Sequence, residues 1–301
     1  MGWSRPKAIQ IAVIFFILPE ILVNSLVWGQ CDIIYTLFLL AFIYFLLKER
    51  GWWATAMLGI AFAFKLQTVF VGPFVLYVLL VRLLLWRQLV MLPLMYLLFM
   101  APAAVAGRSW GELLTIYVGQ ATHNRLLSLG APNLYFVIQK IFPNSYEIGV
   151  YMGLVITVIV SLVLVTLFVR LGRARSPYGL LLMATLTLTI VPYILPKMHE
   201  RYFFPAGAMA FLLAVARPST WPIVMLIQAA NLCSYTLFLL GYSHLWLRGS
   251  AIFMTCALGS LIWLFVQKDD GSVNVDNAGV GPPRGEQSGV REFHDRSAQT
   301  I

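Results

Sequence analysis

The sequence predicts an all-α, polytopic integral membrane protein of about ten transmembrane segments, and three observations carry that prediction. Of 301 residues, 60% are hydrophobic and only 11% charged, against roughly 45–50% and roughly 25% in soluble domains. The apolar residues gather in successive runs, most of them near the roughly 20 residues that a helix needs to cross the hydrocarbon core. The cations fall mostly in short loops between those runs, where they set orientation and meet lipid headgroups. The formal charge of +9 is therefore read as membrane electrostatics, and no nucleic-acid partner is expected. Cys31, Cys233 and Cys256 lie in apolar surroundings without CxxC spacing, which argues against a disulfide scaffold or a zinc site.

The runs occupy 8–28, 33–47, 52–84, 88–106, 148–170, 178–196, 203–216, 219–242 and 250–267. The first continues past Glu20 into Trp28-Gly29-Gln30-Cys31-Asp32 without a small-residue cleavage site, so it reads as a span and not as a cleaved signal. The run 52–84 is too long for one crossing and is interrupted by Lys65, Gln67, Gly72 and Pro73, which predicts two shorter helices meeting at FKLQ. Such a break is tolerated in a bilayer only where the backbone lines a cavity or packs on protein. An external loop spans about 107–147. Helical spacing of Leu113, Leu114, Tyr117 and Val118 predicts an amphipathic helix at the interface, and Gly130-Ala131-Pro132-Asn133 a turn back toward the membrane. Together these make a membrane domain over 8–267. From 268 to 301 the chain is rich in Gly, Asp, Ser and Pro, the composition of a solvated, disordered tail on the cytoplasmic side.

Positive charge assigns the sides. With Arg5 and Lys7 cytoplasmic, the same side receives Lys48, Arg50, Arg82, Arg87, the cluster Arg170, Arg173 and Arg175, then Arg217 and Lys268. The opposite side then receives WGQCD, FKLQ, the 107–147 loop, LPKMHER and GYSHLWLRGS, so the most polar membrane-edge features collect on one face.

Ionisable groups at that depth are costly and are functional candidates by default. Glu20, beside Pro19, is either a structural carboxyl or a catalytic one. Asp32 ends the first external turn with Gln30 beside it. Lys65, flanked by Phe64 and Gln67, needs an anion: a lipid phosphate in an outward cavity, or a structural partner in Glu20 or Asp32. In LPKMHER, Arg201 offers a planar fork for phosphate oxygens and Lys197 a movable point charge, with Arg125 a similar candidate. His199 can exchange protons near neutral pH, and Glu200 can orient it or bind sugar hydroxyls. The alternative for this stretch is a charged cap that holds a helix end among headgroups. No P-loop, dinucleotide fingerprint, HExxH or GxSxG is present, and no compact carboxylate cluster demands a divalent ion. Neither metal nor cofactor is expected.

Read in order, WGQCDIIYTLFLL, AFAFKLQTVFVGPFVL, LLSLGAPNLY and LPKMHERYFFP resemble the bacterial GT-C glycosyltransferases related to GPI mannosyltransferases, over about residues 8–240. The resemblance implies a plasma-membrane enzyme with its active face outside the cytoplasm. It would move a hexose, mannose-like, from a polyprenyl-phosphate sugar to a glycolipid or other glycan acceptor, with membrane lipids as surroundings. Carried over by position, Lys65 and Arg201 hold the phosphate, and His199 and Glu200 stand beside sugar or phosphate. Asp32 and Gln30 line the same cavity, and the loop from Asn124-Arg125 to Asn133 covers it. Asp32, His199 and Glu200 are thus the expected catalytic groups, and Gln30, Lys65, Gln67, Arg125, Asn133, Lys197 and Arg201 the expected substrate contacts. The resemblance also implies an earlier external loop with a catalytic acid, which this sequence does not contain, so the acid is expected from Asp32 or Glu200. The readings set against this are an inactive shortened relative and a lipid or sugar flippase. Against the flippase, the two halves show no inverted repeat.

Overall fold

Each apolar run forms helix. The computed structural model describes residues 4–121, 125–144, 146–171, 176–241 and 244–267. The expected tail at 268–301, Asn124 and the pair Arg173 and Arg175 lie outside the described residues. Among the described residues, five helices are long and apolar enough to cross a membrane, or six if one bent pair counts as a single span, and four shorter apolar helices of 10–17 residues accompany them.

The bent pair is α1 (Arg5–Phe16) and the segment Pro19–Val27, which meet at 54°. Pro19 lacks an N–H and is best tolerated in a first turn, here that of α2 (Pro19–Ile21). The chain then widens into a π turn, Leu22–Val27, and reverses at Gly29, whose φ of +67° lies in the left-handed region that glycine tolerates. α3 (Asp32–Leu47) leaves this corner and pairs with α4 (Gly51–Phe64). α4 stops at Lys65, whose backbone is extended (φ −156°, ψ 129°). A 3-10 stretch, Leu66–Val71, leads from there into α5 (Gly72–Leu80). The break expected at FKLQ is therefore present. Its freed carbonyls find a donor in the segment after α6 (Met91–Val105). α6 leads to α7 (Trp110–Ala121), and Tyr117 of α7 donates its hydroxyl to Phe62 O at 2.7 Å. Burial, with Tyr96 beside it, pushes the Tyr117 hydroxyl up to about 12, so it remains a donor through the physiological range.

After α7 come α8 (Leu134–Ile141), α9 (Tyr146–Leu171), α10 (Pro177–Ile194), α11 (Phe204–Ala216), α12 (Trp221–Leu240) and α13 (His244–Val266). α10 runs through the centre. Its buried Thr185, Thr187 and Thr189 each satisfy their hydroxyl on the carbonyl four residues back, so they enter the core without an orphaned donor. α11 carries buried Ala206, Gly207, Ala208, Ala210 and Ala214. Small residues let helices approach closely where lipid removes the hydrophobic drive for association. One apolar core joins α3, α5, α10 and α11 through Leu39, Phe42, Phe74, Leu182, Met209 and Leu213. α9 instead exposes Ile148, Leu154, Ile159 and Leu162, a lipid-facing stripe.

One local feature departs from the all-helical expectation. Ser128–Leu129 (β1) and Met198–His199 (β2) pair as parallel strands, Ser128 opposite Met198 and Leu129 opposite His199. Each is two residues long, too short to show the period-two pattern by which strands are read from sequence. The 107–147 segment also holds a second helix, α8, where only a turn was expected.

Candidate active site at the membrane edge

The corner between the first span and α3 buries a carboxylate. Asp32 is fully inaccessible, and its Oδ1 forms an ion pair with Lys65 Nζ. Oδ2 accepts from Asn24 Nδ2 at 3.0 Å. The π turn supplies this geometry, because Asn24 O also accepts from Gln30 N (2.9 Å) and so draws the corner closed over its own side chain. Lys65 Nζ lies 5.4 Å from the Tyr35 ring centroid.

The second station is held by the two strands. Lys197, at φ +64°, donates its N–H to Leu127 O (2.7 Å), and the next residues run alongside β1. Glu200, 5% exposed, stands between a guanidinium and an imidazole. Its Oε1 accepts from Arg201 NH1 at 3.2 Å, and its Oε2 lies 3.7 Å from His199 Nδ1. Gly130 fits this carboxylate closely: a Cβ there would stand 3.6 Å from Glu200 Oε2. Ser234 of α12 bonds Gly130 O and fixes the turn from outside.

The two stations meet. The Arg201 guanidinium lies 5.6 Å from the Trp28 ring centroid, a cation–π arrangement across the corner. Tyr202 packs on the broken helix, its ring centroid 5.9 Å from that of Phe70. A cavity of about 360 Å³ opens beside them, lined by the polar residues Gln67, Lys197, His199 and Tyr202 and by the apolar residues Leu66, Val69, Val150 and Leu154 among others. Near it, Tyr35 Oη, Gln67 Oε1 and Arg201 Nε are buried polar atoms with no protein hydrogen bond among the described residues. Buried polar atoms are ordinarily satisfied, and of these three residues Gln67 belongs to the cavity's lining. Chemically, the set offers cations for a phosphate, an imidazole for a proton and apolar walls for a chain.

The family model for glycosyltransferase family 87 matches residues 2–196. The chain belongs to glycosyltransferase family 87. Comparison with curated proteins and with solved structures returned no match. The family match ends at Pro196, so the first span, the FKLQ break and the 125–133 turn lie inside it and His199–Arg201 just beyond. The family 87 assignment makes the chain a membrane glycosyltransferase relative and leaves sugar, donor and acceptor open.

Of the expected site residues, this family 87 chain brings Asp32, Lys65, Gln67, Lys197, His199, Glu200 and Arg201 together. Lys65 takes the structural alternative, with Asp32 as its anion and not Glu20. Gln30 is half-buried and contributes its backbone to the corner, while its side chain makes no hydrogen bond among the described residues. Arg125 is exposed, and the structure gives it no bond to the cluster. Asn133 is buried as the N-cap of α8, accepting from Phe136 N (3.2 Å) and donating to Leu195 O (3.3 Å), so it ties the turn to α10 and does not face the cavity. Its position before a helical run is an N-cap pattern that was legible. Glu20 also proves structural. Its carboxylate accepts from Gln228 Nε2 (2.7 Å), Asn231 Nδ2 and Tyr235 Oη (3.4 Å), all on α12. Sequence reasoning missed Asn24, Trp28, Tyr35 and Tyr202. The only signal for them was proximity in the chain to WGQCD and HER, because aromatic residues near a membrane edge are common.

Proposed function

We propose that the chain transfers a hexosyl group, mannose-like, from a polyprenyl-phosphate sugar to a hydroxyl of a glycolipid or other glycan acceptor on the non-cytoplasmic face, as a GT-C enzyme related to the GPI mannosyltransferases. The observation that carries this reading is a cavity lined by Lys197 and His199 together with Leu66, Val69, Val150 and Leu154. A phosphate esterified to a long hydrocarbon has both characters in one molecule, and a soluble nucleotide sugar lacks the second. In the proposed step the acceptor oxygen attacks the anomeric carbon and its proton passes to His199. The bond from anomeric carbon to phosphate oxygen breaks, and the lipid phosphate leaves with the electron pair. Arg201 and Lys197 oppose the charge that grows on it. Glu200 holds both Arg201 and His199, and Asp32 holds Lys65 at the rim; buried on both oxygens, Asp32 is a positioning group in this scheme.

The test is transfer from a polyprenyl-phosphate hexose to membrane lipid extract by the purified chain. His199→Ala is expected to lower turnover by about 10²- to 10⁴-fold, the usual contribution of a positioned proton acceptor. Lys197→Gln is expected to weaken donor use while leaving the fold intact. Full transfer in both variants would refute the site. Counterflow of donor lipid in liposomes with no covalent product would replace the enzyme reading with a flippase.

A further inference from the structure

A second cavity lies between α8 and α13. It has a volume of about 460 Å³ and is walled by Val137, Ile141 and Ile252, with Tyr193 and Thr255 at its base. The base is closed on itself, because Tyr193 Oη and Thr255 Oγ1 share a hydrogen bond of 2.7 Å. Two cations line the same cavity, Lys140 from α8 and Arg248 from the start of α13. Both are exposed and neither forms an ion pair among the described residues. Lys140 is drawn over the Phe136 ring at 4.4 Å. Burial of its stem and then the Arg248 charge hold Lys140 below the ordinary lysine range. Two like charges set beside one apolar cleft repel each other, and an anion between them removes the repulsion.

We infer that this cleft binds a lipid whose headgroup is a phosphomonoester, its phosphate between Lys140 and Arg248 and its tail along Val137, Ile141 and Ile252. The charge arithmetic selects the monoester. A phosphomonoester carries about −1.5 to −2 at neutral pH and answers two cations, whereas a phosphodiester headgroup such as phosphatidylglycerol carries one charge and leaves one cation unanswered. An apolar tail fits the lining, where Leu134, Phe136, Val137, Ile141, Ala251 and Ile252 supply the apolar surface. The inference stands apart from the proposed transfer site, since the two cavities share no lining residue.

The probe is phosphatidic acid with a photoactivatable diazirine in its acyl chain, added to the full chain in phosphatidylcholine vesicles, with adducts located by peptide mass spectrometry. Adducts are expected on residues 251–256, reduced about tenfold or more in Lys140→Gln/Arg248→Gln, a loss of about 1.4 kcal/mol or more. Both substitutions sit on exposed side chains, so folding is not at stake. Unlabelled phosphatidic acid should compete, while phosphatidylglycerol and inorganic phosphate should not. Equal labelling in the double variant would overturn the inference. Equal competition by phosphatidylglycerol would overturn the monoester selection, and competition by inorganic phosphate would show a simple anion site without a lipid.

Discussion

Lys65 and Asp32 stand 33 positions apart and neutralise each other inside the protein. Removing one partner of such a pair strands the other charge, whereas replacing both removes the problem. Lys65→Met is accordingly expected to lower stability by about 3–5 kcal/mol, and Lys65→Met/Asp32→Asn to regain most of that loss. Thermal unfolding in detergent reads both, and a single variant as stable as the parent would show that the pair is not formed. Half of this was legible: a membrane-depth lysine needs an anion, so the partner had to be Asp32, Glu20 or a ligand. The choice was not, because it depends on where the bend at Pro19 and the π turn direct each carboxylate. Glu20 is turned away to Gln228, 208 residues along the chain. It also fills the space above Gly207, where a Cβ would fall 2.2 Å from Glu20 Oε2.

Among elements, the break at FKLQ was legible because Lys, Gln, Gly and Pro cluster within an apolar run too long for one span. The β1–β2 strap was not, since its hydrogen bonds join residues some 70 positions apart through strands only two residues long. Yet the strap sets the direction of His199, Glu200 and Arg201, and its seat is tight. At Gly153 of α9 an added Cβ would lie 2.8 Å from Pro196 Cδ and 2.2 Å from Tyr135 Oη. A phenol can swing aside, but a proline ring joined to the strand cannot. Gly153→Val is therefore expected to shift the strap and lower transfer by about 10²-fold, the penalty of a displacement near 1 Å at a reacting centre. Gly259→Val in α13 meets nothing within 4 Å and should leave transfer unchanged. Equal activity in the two variants would mean that the strap does not position the site.

At the scale of the whole molecule, helix direction and charge agree. α3 runs from buried Asp32 to a turn bearing Lys48 and Arg50, and α4 returns from that turn to Lys65. α5 leaves the site again toward Arg82 and Arg87; α9 ends at Arg170 and Leu171; α11 leads from the strap to Arg217. The cations that set orientation thus stand at one end of the helices, and Asp32, Lys65 and His199–Arg201 stand at the other. Lys and Arg near span ends are retained on the cytoplasmic side, so the cavity should open on the outside. Cysteine labelling tests this after Cys31, Cys233 and Cys256 are replaced by serine. Glu112→Cys on α7 and Arg87→Cys between α5 and α6 are both exposed positions outside the site. In intact cells a membrane-impermeant maleimide should modify the first and spare the second, and both should react once the membrane is opened. The reverse pattern would invert the molecule, place the cavity toward the cytoplasm and remove the topological support for an externally facing lipid-phosphate donor.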